Sequence, residues 1–134
     1  MIRVYTASKI STAQFWRDIH AKHPSVYFHA RWIKHNAIGT PDLPGYAAKF
    51  WQENEEDIRC ADALIIYGLD DEHLRGALVE AGIAIAADIP VYTVGDHKDY
   101  GTWQFHPGVT RAINIEQALQ LLEDLDKKLG LHHK

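Results

Sequence analysis

The sequence predicts an α/β fold: a doubly wound, five-stranded parallel sheet with helices on both faces. Short segments rich in β-branched and aromatic residues alternate with segments whose apolar residues recur at the 3.6-residue period of a helix. One of the strand segments, residues 62–68 (DALIIYG), is almost continuously apolar, which is typical of a strand buried on both faces of a parallel sheet. Because crossovers between parallel strands are right-handed, the simplest winding is the flavodoxin-like strand order 2-1-3-4-5.

The first elements are a strand, a helix and a short second strand. Residues 2–7 (IRVYTA) form the first strand. Ser11, with Gln14 three residues later, has the spacing of a capping box, which predicts that a helix begins there. That helix must end before Pro24, and residues 26–28 then form the second strand.

A long loop and a second helix lead to the central strand. The loop, residues 29–44, is longer than the usual connection in a compact domain, and loops of this length are often functional or disordered. Residues 45–61 form the helix, and its apolar stripe at helical spacing also contains Asn54. The strand 62–68 follows and is the expected centre of the sheet.

The rest of the chain continues the alternation. Asp70 and Asp71 are expected to cap a third helix over residues 72–87. The next elements are a strand over 90–94, a polar and aromatic loop over 96–107, and a strand over 109–113. Asn114 and Gln117 have capping-box spacing and begin a last helix. Its apolar face carries Ala118, Leu121, Leu122, Leu125 and Leu129.

Length and composition limit the classes of function that the chain can have. The chain has 134 residues, 46% of them apolar, which is enough for a single domain over 1–134 and too few for two. Its 14 Lys and Arg against 18 Asp and Glu give a net charge of −4, which argues against binding a nucleic-acid polymer. No apolar run approaches the roughly 20 residues that cross a bilayer, and the chain opens without a signal-peptide pattern. Its one cysteine has no disulfide partner, so a cytoplasmic protein without a membrane partner is expected.

The predicted winding locates the ligand crevice at the carboxyl ends of the first and third strands. The loops after these strands, residues 6–9 and 68–71, should face each other across a binding site. Ser8 and Lys9 come just before a helix and could receive a phosphate or a sugar hydroxyl. No glycine-rich phosphate loop accompanies them, and a plain turn with a solvated lysine explains them equally well.

Glu80 is the most informative residue of the third helix. It is the only charged residue between positions 76 and 87 (GALVEAGIAIAA), where almost no polar face exists for it to share. We therefore expect Glu80 to be at least partly buried and to border the crevice, as a candidate active-site carboxylate. The alternative is a surface or interface glutamate held by Arg75 or by a neighbouring chain.

Asn54 and Asp57 form a second candidate group on the preceding helix. A buried amide must find hydrogen-bond partners or cost about 1–3 kcal/mol. Asp57, at the edge of the same stripe, could approach the same space. The simpler interpretation is that Asn54 bonds a loop backbone and that Asp57 is solvated.

Aromatic, histidine and cysteine residues give weaker signals. Some aromatic side chains could stack a nucleobase; the candidates are Tyr5, Trp32, Tyr46, Trp51, Trp103 and Phe105. Most aromatic residues at helix or strand spacing belong to the core, and Trp103 and Phe105 are the exceptions because they lie in a polar loop. The nine histidines lack the spacing of a zinc site, so no metal is predicted, nor any other cofactor. Cys60 has no histidine partner in a motif and is expected to be a buried thiol near a helix end.

These segments, in this order, resemble the nucleoside 2-deoxyribosyltransferase family and the related deoxynucleoside 5′-monophosphate N-hydrolases. The matching parts are Tyr5-Thr6-Ala7-Ser8, the segment 54–62 ending in Ala61-Asp62, the segment 75–82 (RGALVEAG), Ala84, and Pro90-Val91-Tyr92. The resemblance covers about residues 2 to 125, and the Gly-x-x-x-Glu-x-Gly motif at 76–82 is its most specific part.

The resemblance implies that Glu80 is a nucleophile. Its carboxylate would attack the anomeric carbon of a 2′-deoxynucleoside or its 5′-monophosphate, the base would depart, and a glycosyl ester would remain. A second base then resolves the ester in a transferase, and water resolves it in a hydrolase. The family's acid falls on Asn54, which cannot donate a proton as an acid does. The proton must then come from Asp57, from water, or not at all.

The resemblance also implies a set of substrate contacts and an assembly. Tyr5 and Ser8 would border the sugar or its 5′ substituent. The other implied substrate-binding residues are Lys9, Asp71, Gly76, Trp103 and His106. In the family a loop from a neighbouring subunit completes the site, and residues 103–106 are the candidate loop here. A homodimer or larger homo-oligomer is therefore expected, with a nucleoside or nucleotide as the small-molecule ligand.

Two other functions compete with this one. A non-catalytic nucleotide-binding or sensing module on the same fold would explain the asparagine at position 54. A phosphoribohydrolase of the cytokinin-activating type is disfavoured because the PGGxGT segment of that family is missing.

Overall fold

The computed structural model describes residues 1–34, 44–69 and 71–130, which build one five-stranded parallel sheet. The strands are β1 (Ile2–Ala7), β2 (Val26–Phe28), β3 (Ala63–Ile66), β4 (Val91–Val94) and β5 (Val109–Ala112). Their order is β2-β1-β3-β4-β5, and every neighbouring pair is parallel. The predicted fold class and strand order are confirmed. All residues of β3 and β4 are buried, as expected for the centre of such a sheet.

In the described residues, four α-helices cover the two faces of the sheet. They are α1 (Ala13–Lys22), α2 (Pro44–Arg59), α3 (Arg75–Ala86) and α4 (Ile115–Leu129). Trp16 of α1 contacts Phe28, whose partner on β1 is Val4. Tyr5, the next residue of β1, contacts α3 through Glu80. Because adjacent side chains of a strand point to opposite faces, α1 and α3 lie on opposite sides of the sheet.

The first helix does not begin with the predicted capping box. A short 3-10 helix, Ile10–Thr12, precedes α1, and the Thr12 hydroxyl donates to the carbonyl of Lys9 at 2.6 Å. Gln14 does not return to Ser11; its amide donates to the Asp18 carboxylate instead, at 2.8 Å. Gln14 therefore bonds to Asp18, four residues later in the helix, and does not take part in a capping box.

The start of the third helix also differs from the prediction. α3 begins at Arg75 rather than at residue 72, and Asp71 is exposed and does not cap it. Glu72 instead accepts a hydrogen bond from the Leu69 N–H at 2.9 Å, which closes a turn where helix was predicted. Asp70 lies outside the described residues.

Other local predictions have mixed outcomes. The last helix is capped as predicted, because the Asn114 side chain accepts from the Gln117 N–H at 2.8 Å. Within the predicted loop 29–44, residues Arg31–Lys34 form a 3-10 helix, and residues 35–43 lie outside the described ranges. Cys60 is exposed and directly follows the last residue of α2, so the prediction of a buried thiol is wrong. Across the described parts of the chain, no helix has both the length and the apolar character needed to cross a membrane.

Candidate active site

A cavity of about 390 Å³ opens at the carboxyl-terminal edge of the sheet, beside the first turns of α3. Its lining residues are Ser8, Lys9, Trp32, Phe50, Trp51, His73, Leu74, Arg75, Gly76, Ala77 and Glu80. The loops after β1 and β3 meet here, since the Ser8 hydroxyl donates to the Tyr67 carbonyl at 2.6 Å. The crevice therefore lies where the strand order predicts it.

Glu80 lies in the second turn of α3 and is only 5% exposed, so its predicted burial is confirmed. The Tyr5 hydroxyl donates a hydrogen bond to Glu80 Oε2. Burial raises the pKa of Glu80 to about 8, although the Tyr5 hydrogen bond opposes that rise. At pH 7 only about a tenth of the molecules carry an ionised Glu80. The carboxyl group nevertheless lines the cavity and can meet a ligand there.

Tyr5 is the residue of the sheet that donates a hydrogen bond to Glu80. It is fully buried on β1. Its own pKa lies well above the usual value, because burial and then the neighbouring negative charge of Glu80 disfavour the phenolate. Tyr5 therefore remains a hydrogen-bond donor at every pH near neutrality. Its hydrogen bond orients Oε2 of the Glu80 carboxyl group.

Asn54 is buried on α2, at 2% exposure, so the sequence assigns it to the inward stripe correctly. The predicted hydrogen bond from Asn54 to a loop backbone stays a prediction, since residues 35–43 of the preceding loop lie outside the described ranges. Asn54 lies about one helical turn beyond Phe50 and Trp51, both of which line the cavity. It is not itself a lining residue among those described.

Asp57 is held by Arg31, so the interpretation of Asp57 as a solvated side chain is wrong. The carboxylate is 8% exposed and accepts from the Arg31 backbone N–H at 2.9 Å and from Nε at 3.0 Å. The Arg31 Nη2 atom lies 2.9 Å from the same carboxylate. An ion-paired carboxylate with several donors around it accepts hydrogen bonds and is a poor source of a proton.

Three aromatic residues, Trp32, Phe50 and Trp51, line the cavity. Trp32 is 2% exposed and its indole N–H donates to the Thr6 carbonyl at 2.8 Å. Phe50 and Trp51 come from α2. A Cβ atom at Gly76 would lie 3.3 Å from Cζ2 of Trp51, so the glycine lets this ring pack closely against α3. Such a lining suits a planar heterocycle.

The sequence named some of these residues and missed others. Trp32 and Trp51 were candidates, and Phe50 was expected only on the apolar stripe. Arg75 brings positive charge to the cavity beside Lys9, and His73 also lines it; neither His73 nor Arg75 was predicted as a contact. The sequence feature that could have identified His73 and Arg75 is their position just before the Gly-x-x-x-Glu-x-Gly motif. The side chain of Tyr46 lies outside the described residues.

The segment around Trp103 lies elsewhere in its own chain. Trp103 belongs to a 3-10 helix (Thr102–Phe105), and its ring packs edge-on against Tyr100, with centroids 5.9 Å apart. His106 is exposed, and its Nδ1 accepts from the Gly108 N–H at 2.9 Å. Neither these residues nor Asp71 lines the described cavity. Their contribution to the site of a neighbouring subunit stays a prediction.

Comparison with known proteins identifies a structural relative of this chain. No protein-family model matches the chain, and no curated protein sequence matches it. Among solved structures, the chain is similar to the CMP N-glycosidase BcmB of Clostridium botulinum, with a TM-score of 0.56 and 17% sequence identity. The alignment covers 90% of this chain and 98% of that one. At this identity the similarity establishes the shared fold.

Proposed function

We propose that this protein breaks the N-glycosidic bond of a 2′-deoxynucleoside or its 5′-monophosphate, by transfer or by hydrolysis, with Glu80 as the nucleophile. The observation that carries the proposal is a buried carboxyl group, supported by the Tyr5 hydroxyl, on the wall of a cavity with aromatic rings and cationic side chains. The structural similarity to a CMP N-glycosidase and the sequence resemblance to the deoxyribosyltransferases support the same chemistry.

In the proposed reaction the ionised Glu80 attacks the anomeric carbon. The new carbon–oxygen bond forms as the carbon–nitrogen bond breaks, and the bonding electron pair leaves with the base. The base takes its proton from water, because Asn54 cannot supply one and Asp57 is committed to Arg31. Water, or a second base with loss of its proton, then displaces the carboxylate from the anomeric carbon and restores Glu80.

The charges at the cavity mouth favour the monophosphate over the nucleoside. Lys9, His73 and Arg75 all line the cavity, and all three residues are exposed. Lysine and arginine side chains form strong, charge-assisted hydrogen bonds with phosphate oxygens. The aromatic residues Trp32, Phe50 and Trp51 are then available to the base. In this arrangement the sugar lies between the two groups, where Glu80 meets it.

Incubation with a second free base tests the proposal. A deoxynucleoside, and separately its 5′-monophosphate, is mixed with the protein and a different base, and the products are separated by chromatography. An exchanged nucleoside identifies a transferase, and a released base without exchange identifies a hydrolase. If neither product forms from either substrate, the proposed function is wrong.

Activity is expected to rise with pH through about 8. The nucleophile is the ionised form of Glu80, whose pKa is about 8, so its population grows from about 1% at pH 6 to about 90% at pH 9. Initial rates of base release at low substrate concentration should therefore increase by about two orders of magnitude over that range. The nucleoside is the control substrate, because it has no phosphate to titrate. A profile that is flat or falls over this range contradicts the assignment of Glu80 as the nucleophile.

A second candidate function is a nucleotide-binding or sensing module. Asn54 at the implied acid position, together with the ion pair that occupies Asp57, favours it. Calorimetry would then detect saturable binding of the monophosphate, and chromatography would detect no released base after many hours. Turnover of any tested substrate that depends on Glu80 excludes this alternative.

A further inference from the structure

The helix that carries Glu80 receives its N-terminal hydrogen-bond acceptor from a distant loop. Leu74 is the capping residue of α3 and its own side chain accepts no hydrogen bond, and the first turn contains no acidic residue. Instead, the Leu74 N–H donates to Asp99 Oδ2 at 2.7 Å, across 25 positions of sequence. This hydrogen bond lowers the pKa of the Asp99 carboxyl below its usual range. A carboxylate at this end of a helix also interacts favourably with the helix dipole.

Asp99 is itself fixed by its neighbours. The ring of His97, 5% exposed, accepts from the Asp99 N–H through Nδ1 at 3.0 Å. Its Nε2 lies 2.9 Å from the Leu69 carbonyl, which can only accept, so Nε2 carries the proton of the neutral ring. The hydroxyl of the buried Tyr100 donates to the carbonyls of Ile66 and Val94, at 3.2 and 2.9 Å.

Residues 97–100 therefore hold both ends of the connection between β3 and α3. Tyr100 contacts the last residue of β3, and Asp99 contacts the residue before α3. The held segment includes two wall residues of the cavity, His73 and Leu74. Glu80 follows six residues later on the same helix, so the position of the helix start determines how its carboxyl meets Tyr5.

We propose that Asp99 is a positioning residue of the active site, which fixes the start of α3 and so aligns Glu80 with Tyr5 and the cavity. This inference rests on the proposed function, in which Glu80 is the nucleophile. Asp99 does not line the cavity among the described residues, so it acts through the residues that it contacts: Leu74 at the start of α3, and His73, whose Nδ1 lies 3.9 Å from Asp99 Oδ2. The competing interpretation is a helix cap that contributes only to stability.

The test compares three variants with the wild type: Asp99→Ala, Asp99→Asn and Asp96→Ala. The alanine removes the acceptor for Leu74, and the asparagine retains one in its side-chain carbonyl. Asp96 is an exposed residue of the same loop and serves as the matched control. Two quantities are measured at a temperature where circular dichroism finds every variant folded: kcat for base release, and the carboxyl ¹³C chemical shift of Glu80, assigned by its absence in Glu80→Gln. The shift reports the hydrogen bond to Tyr5.

For Asp99→Ala we expect kcat to fall at least about tenfold and the Glu80 shift to move. Asp99→Asn should recover most of both, and Asp96→Ala should match the wild type. An active wild type with an unchanged kcat and an unmoved shift in Asp99→Ala overturns the positioning role and leaves the proposed function intact. If the wild type releases no base, the proposed function is wrong. The chemical shift of Glu80 then tests the positioning role of Asp99 by itself, and an unmoved shift in Asp99→Ala overturns that role.

Discussion

Replacing Glu80 with glutamine is expected to reduce base release by about 10³-fold or more and to make the protein more stable at alkaline pH. Glutamine has nearly the same size, and its carbonyl can still accept from the Tyr5 hydroxyl, so the cavity is preserved. The amide cannot form the glycosyl ester, and losses of this size are typical when a catalytic nucleophile is removed. Chromatographic assays of released base measure this loss.

The gain in stability follows from the raised pKa of Glu80. Its folded-state pKa is about 8 against 4.5 for an ordinary glutamate. The stability linked to its protonated form is therefore fully present below pH 4.5 and is lost as the pH rises through 8. By pH 9 the wild type should have lost on the order of 4 kcal/mol from this group, whereas glutamine loses nothing. Urea denaturation of both proteins at pH 5 and pH 9 measures the difference.

An exposed glutamate provides the control for both measurements. Glu116 lies in the first turn of α4, away from the cavity, and Glu116→Gln should retain wild-type activity. It should also lose as much stability between pH 5 and pH 9 as the wild type does. If Glu80→Gln retains full activity, the nucleophile is another group. If its stability follows the wild type from pH 5 to pH 9, the pKa of Glu80 is not raised in the folded protein.

The parts of this fold that the sequence predicted are those set by local patterns. The short apolar segment at β3 is typical of a strand covered on both faces, and it indicated the centre of the sheet. Glu80 had no polar face to share on its own helix, so its burial followed from the residues around it. In both cases the decisive neighbours lie within a few positions along the chain.

The parts that the sequence could not predict depend on partners far away along the chain. Asp71 has the right residue type and nearly the right position for a cap, yet α3 begins four residues later, where Asp99 provides the acceptor. Asp57 resembled a solvated side chain because Arg31, its partner, lies 26 residues earlier. Tyr5 and Glu80 are 75 positions apart. Residue type gives no indication of which long-range acceptor or donor will be present.

Replacing Asn54 with aspartate is expected to increase the release of natural bases by about 10²-fold, the lower end of what general acid catalysis contributes. The resemblance to the deoxyribosyltransferases assigns the acid to this position, and the side chain there is 2% exposed on the face of α2 that packs towards the cavity. Burial disfavours the ionised form, so an aspartate at position 54 should stay protonated near neutral pH and be able to donate. Initial rates with a deoxynucleoside 5′-monophosphate at pH 8 measure the gain.

Two controls separate acid catalysis from a general improvement of the site. Asn54→Leu removes the amide without adding an acid, and it places an apolar side chain at a position that is 2% exposed. It should show no gain in rate. A nitrophenyl deoxyriboside has a leaving group that needs no proton, so Asn54→Asp should leave its hydrolysis unchanged. An equal gain on both substrates would mean that the new carboxyl acts on the sugar or on Glu80, and no gain on either would mean that the base leaves from another side of the cavity.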